Sequence, residues 1–164
     1  MTIDEVLQEF DGEARTTRRL LERVPTDKLE WAPHSKSMTL GGLAMHLAGA
    51  PGAISGWSVP DRFEFTRDTT PPPASTAEIL AAHDRGAEQM KANLEAIGDG
   101  GLGATWTATV GGKTLMTMPK AALIRSLVLN HTYHHRGQLS VYLRLLDVAV
   151  PSIYGPSSDE NPFG

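Results

Sequence analysis

Four stretches of this chain bring an apolar residue back every three or four positions, and that spacing commits it to helices. The first runs from about Thr2 to Val24, with Ile3, Val6, Leu7, Phe10, Ala14, Leu20, Leu21 and Val24 on one stripe. Thr2 with Glu5 three positions on fits a capping box, and Pro25 stops the helix. A second helix begins near Thr39. Leu40, Leu43, Leu47 and Ala50 mark its buried side, and His46 falls among them. Pro51 and Gly52 in mid-pattern predict a kink or an early end. A third helix starts at Thr76, its expected N-cap, and reaches Ile97, ahead of Gly98, Gly100, Gly101 and Gly103. The fourth and longest opens at Pro119 and continues to about Asp147, roughly 40 Å at 1.5 Å per residue. Its expected buried face includes Leu123, Leu127, His131, Gln138, Leu139, Tyr142, Leu145 and Leu146.

The connections are as informative as the helices. Residues 58 to 75 are rich in Pro, Thr and charge and include Pro71-Pro72-Pro73. They read as a crossover within one domain, because neither side alone has enough helices to close a core. Thr105 to Val110 and Lys113 to Thr117 flank Gly111-Gly112, the pattern of a β-hairpin that packs on the bundle ahead of the last helix. With 164 residues there is room for one domain, spanning 1–164. The expectation is an all-α four-helix bundle with one long crossover and a small hairpin.

Charge narrows the function. Fifteen basic against 19 acidic residues leave a formal net charge of −4. Arg15, Arg18, Arg19 and Arg23 lie among Glu13 and Glu22 and read as a solvated face, so nucleic acid is not an expected partner. No stretch is apolar enough to span a membrane, and the polar, acidic start has no secretory pattern. The chain contains no cysteine, which fits a reducing, cytoplasmic setting and removes every thiol of its own from the possible nucleophiles and ligands.

The chemistry lies in His131-Thr132-Tyr133-His134-His135. On a helix His131 and His135 are one turn apart and point the same way, so both imidazoles can reach one metal. His134 lies about 100° round the axis from His135 and is the backup ligand. His46, on the expected buried face of another helix, is the third candidate. Bundles build metal sites from inward side chains on facing helices. Three His ligands leave an open position, as in catalytic zinc sites. Neutral imidazole suits Zn, Ni, Cu and Fe. A single His on an apolar stripe is more often an ordinary core residue, but three with no evident carboxylate partner are easier to explain with a metal. The position after His131 is Thr132, where a zinc protease would carry its Glu base, so protease chemistry is not expected. Tyr133 and Arg136 are candidates to orient substrate, Arg136 otherwise serving as a surface or dimer salt bridge. Gln138 is placed to line the pocket. His34 and His83 read as loop and helix-surface residues.

The segment from Asn130 to Leu139, the tail Val150-Pro151-Ser152-Ile153-Tyr154-Gly155 and the upstream Met45-His46-Leu47 together resemble the DinB/YfiT-like metalloenzymes, the damage-inducible helical proteins and not the polymerase of that name. The resemblance covers nearly the whole chain. It implies a bundle in up-up-down-down order, commonly a homodimer, with a His triad on zinc or nickel. Carried over position by position, that triad falls on His46, His131 and His135. The resemblance further implies an enzyme acting on a small molecule with a low-molecular-weight thiol, an S-transferase or isomerase that holds a thiolate at the metal. Two alternatives are a hydrolase using metal-bound hydroxide and a non-catalytic metal-binding or interaction module.

Overall fold

The computed structural model describes residues 2–66 and 71–163. Helix α1 spans Ile3–Leu21, a short 3-10 turn follows at Thr26–Lys28, and α2 spans Leu40–Ser58. Strand β1 is Arg62–Glu64, α3 is Thr76–Gly101, β2 is Thr105–Val110 and β3 is Lys113–Pro119. The last helix is continuous in three parts: α4 at Lys120–Leu123, a π-helical segment at Ile124–Asn130, and α5 at His131–Leu145. Part of the crossover, residues 67–70, lies outside the described residues.

Local chemistry sets the ends. Thr2 Oγ1 accepts from Glu5 N while Glu5 accepts from Thr2 N, the expected capping box. Thr39 caps α2 through Gly42 N. The cap of α3 is Ser75 and not Thr76. The Thr76 hydroxyl instead donates to Val24 O at 2.7 Å and so ties the start of α3 to the end of α1. Helix α2 runs through Pro51 without ending there. At that level it crosses α3 so closely that a Cβ on Gly52 would lie 2.8 Å from Gly86 Cα, and one on Gly86 would lie 2.9 Å from Ala48 O.

The all-α bundle with its long crossover is as expected, with one correction. Ile3 N at the start of α1 donates to Asp99 near the end of α3, while Val24 meets Thr76. These helices are antiparallel. Gly41 N donates to Leu29 O beside the end of α1, so α2 also starts at that end. Asn93 reaches Gly52 O and Ser55 at the far end, so α2 and α3 run parallel. The order is therefore up, down, down, up, and not up-up-down-down. The crossover does this: it carries the chain back along the bundle between α2 and α3.

The core divides along the axis. One cluster joins Phe10, Ile54, Met90, Leu94, Trp106 and Ile124. The other joins Leu20, Leu21, Leu40, Leu43, Ile79 and Leu143. The hairpin is present, with Gly111 and Gly112 at φ 57° and 74°, the left-handed pair that a two-residue turn of this twist needs. It gains a third strand, because β1 in the crossover pairs in parallel with β2. Buried Lys120 closes this end by donating to Val59 O at 2.8 Å and pairing with Asp61. No helix among the described residues is long and apolar enough to cross a membrane.

Candidate metal centre

His46 projects from α2, held by Leu47 and Ala44 in the core on either side. His131 and His135 project from the first turn of α5 toward it. His131 Nε2 lies 3.1 Å from His46 Nε2 and 2.8 Å from His135 Nε2. The three rings stand nearly perpendicular to one another, at 85° to 88°, with centroids 4.3 to 4.8 Å apart. One ligand atom from each lies within 4.8 Å of the others, a grouping that could hold a metal ion. His46, expected on the buried face of α2, is instead exposed, so the cluster opens to solvent at the α2–α5 rim.

Proton placement sharpens this. His135 Nδ1 lies 2.7 Å from Gln138 Oε1. The amide oxygen accepts the Nδ1 proton, which leaves the Nε2 lone pair aimed at His131. Burial first, then the neighbouring His135, His46 and His134, push His131 down to about 4. Burial likewise lowers His135 against the opposing bond from Gln138. Both are neutral near pH 7, the form a metal requires. His131 Nδ1 is buried with no hydrogen-bond partner. Two nitrogens each about 2.0–2.1 Å from one ion, at right angles, are about 3 Å apart, which the observed spacings match. The residues fit a divalent metal.

The other candidates separate. His134 is exposed, its ring centroid 4.9 Å from that of His135, and it stands outside the three-nitrogen group. Tyr133 turns to α1, where its hydroxyl donates to Glu9 at 2.5 Å. Arg125 grips the same carboxylate with two bonds of 2.7 and 2.8 Å. Together they hold Glu9 down to about 2, the Arg125 bond contributing most. Burial and Glu9 raise the Tyr133 hydroxyl above its ordinary range.

Arg136 is not a surface residue. It is 1% exposed and pairs with Glu13 at 2.6 Å. It also donates to Glu13 O, Thr17 Oγ1 and the Tyr154 hydroxyl, with its guanidinium over the Tyr154 and Tyr133 rings. Gln138 is exposed and lines the site, off the buried face expected for it. Leu145, also expected inside, is 57% exposed. His83 is another correction: it is 6% exposed, packed within the bundle and bonded to Asp84. His34 is in an exposed loop, as expected. Glu9 was not singled out by the sequence pattern, and Glu13, read there as part of a solvated face, is only 17% exposed. Their spacing of four beside Phe10 and Ala14 is the signal that places them on the rim of the α1 core face.

A helical bundle with three imidazoles converging between two helices defines the class of His-clustered bundle proteins. The chain belongs to the DinB family, whose model matches residues 1–162. It is 28% identical over 163 residues to the uncharacterized protein YrdA of Bacillus subtilis (strain 168), covering 97% of this chain and 92% of that one. A DinB-like protein from Bacillus cereus ATCC 10987 superposes with a TM-score of 0.75 at 25% identity, over 93% of this chain and 98% of that chain. A second DinB-like protein, YjoA of Bacillus subtilis, shares the fold at a TM-score of 0.71 and 18% identity, over 91% and 97%.

Proposed function

We propose that His46, His131 and His135 hold one divalent transition metal, zinc or nickel, and that this centre serves a thiol-dependent enzyme acting on a small electrophile. The carrying observation is the approach of His131 Nε2 to both His46 Nε2 and His135 Nε2, at 3.1 and 2.8 Å. When bound, such a metal supplies Lewis-acid chemistry, lowering the pKa of a coordinated thiol or water. The chain's residues do the rest. Gln138 fixes the tautomer and tilt of His135. Burial keeps His131 unprotonated. The exposed rim at His46 and His134 admits ligand from solvent. With no cysteine in the chain, the thiol comes from solution, as expected of a cytoplasmic protein using a low-molecular-weight thiol.

Zinc-loaded protein is incubated with a small thiol and a chromogenic electrophile. Product that forms only with both thiol and metal supports the transferase. Turnover independent of thiol rejects it in favour of a hydrolase, and metal binding without turnover or ligand exchange favours a non-catalytic module. We also propose a homodimer: sedimentation showing only the 17.7 kDa species rejects it.

A further inference from the structure

The two helices that meet at the imidazoles bring almost no charge to the cleft between them. Helix α2 has no acidic or basic side chain apart from His46. On α5, His131, His135, Gln138 and Tyr142 recur at helical spacing and form the stripe that meets α2. The two arginines of α5 are engaged elsewhere: Arg136 pairs with Glu13 of α1 and Arg144 with Asp159 of the tail. Among the described residues, the charges that bear on His131 and His135 are those of histidines alone.

An apolar wall stands at one end of this cleft. Met38, just ahead of α2, is 42% exposed. Its Cε lies 4.0 Å from where a Cβ on Gly42 would be, and Gly42 is one turn before His46 on the same face. The Tyr142 hydroxyl donates to Met38 O at 3.4 Å. The Tyr142 ring stands edge-on to Trp31, with centroids 5.7 Å apart. Trp31 O in turn accepts from Leu40 N at 2.7 Å. The loop is thereby tied to both helices, and the Met38 thioether extends over the bare backbone of Gly42. Such a side chain is flexible and adapts to apolar groups of varied shape. Gly42 and Thr39 lie about 6 and 10 Å from His46 along the helix, the reach of a phenylalkyl chain anchored at the histidines.

We propose that this wall selects the electrophile: Trp31, Met38 and Tyr142 take an uncharged apolar group of a substrate whose reacting atom lies at the histidine centre. The proposal rests on the metal reading above for its anchor. A carboxylate on that group would find both arginines of α5 already paired and would be desolvated alone.

Three hydroxamates with the same chelating head are titrated into cobalt-loaded protein by absorption: acetohydroxamate, phenylpropionohydroxamate and the para-carboxylate of the latter. The phenyl compound binds about 10- to 100-fold tighter than acetohydroxamate through burial of its ring, and the para-carboxylate loses most of that gain. Met38→Glu brings the phenyl compound to within about twofold of acetohydroxamate, and Met38→Ala weakens it by about threefold. Both variants bind acetohydroxamate as the parent does. Equal affinity of the phenyl and methyl compounds in the parent, or a gain that Met38→Glu leaves intact, overturns the proposal and leaves the metal reading standing. Phenylpropanol, which lacks the chelating head, is titrated in parallel into metal-free protein with methyl-labelled methionine, the Met38 signal being assigned through Met38→Ala. A saturable shift of the Met38 methyl is expected, and its absence overturns the proposal. If the protein takes up no cobalt while that methyl still responds, the apolar wall stands and the metal reading falls.

Discussion

Toward α1, the last helix presents Arg125, Tyr133 and Arg136 to Glu9, Glu13 and Tyr154, and each charge there meets an opposite charge at hydrogen-bond distance. Toward α2, the same helix presents His131 and His135 to His46, where nitrogens face nitrogens and His131 Nδ1 is buried without a partner. The two faces differ in what they leave undone. The first is closed chemistry, which fixes geometry. The second sets imidazole Nε2 atoms against one another, a crowding that a shared cation would relieve; the unpartnered Nδ1 lies across the His131 ring from them. A protein that pairs its ions this fully on one side has not left the other side crowded for stability.

The largest effect separates the faces outright. His131→Leu removes stoichiometric metal, and the metal-free variant is no less stable than its parent, because the orphaned Nδ1 goes with the ring. Metal analysis and thermal melts check both halves. His134→Ala, outside the cluster, keeps its metal.

On the other face Glu13→Ala leaves Arg136 buried and unpaired, with an expected loss of about 3–5 kcal/mol in denaturant titration. A loss below about 1 kcal/mol, the size of an ordinary surface pair, would erase the contrast.

Smaller still is Gln138→Leu. It lowers metal affinity by about 10- to 100-fold through the freed His135 ring and leaves the melt unchanged, since Gln138 is exposed.

The smallest effects are in pH. Glu9 is held at about 2 against 4.5 unfolded, so its contribution is present above 4.5 and is lost as pH falls toward 2. Glu9→Gln flattens stability across that window. His131 acts in the same direction over a higher window. Held at about 4, it refuses a proton that the unfolded chain accepts below 6.5. The metal-free protein therefore loses stability as pH drops from 6.5 to about 4, and His131→Leu removes that slope.

Most of the fold was legible because helices announce themselves by period and caps, as at Thr2 and Thr39. The hairpin was legible through Gly111-Gly112. The histidine grouping was legible because a spacing of four survives any rotation of the helix that carries it. The phase of that helix was not. A π segment inserts one residue without disturbing composition, so Arg136, Gln138 and Leu145 were each assigned to the wrong side. Strand β1 escaped because three residues acquire a partner only once the crossover has brought them beside β2. Helix direction escaped because the sequence of a long connection does not say which way it travels.

The account rests on a cation joining residues 46, 131 and 135. Protein purified without added metal, analysed by inductively coupled plasma mass spectrometry and then by X-ray absorption at the edge found, tests this most directly. The expected result is one divalent transition metal per chain with three imidazole nitrogens at about 2.0–2.1 Å. Metal far below stoichiometric amounts that zinc or nickel cannot restore, or an ion bound with no imidazole scattering, would contradict it.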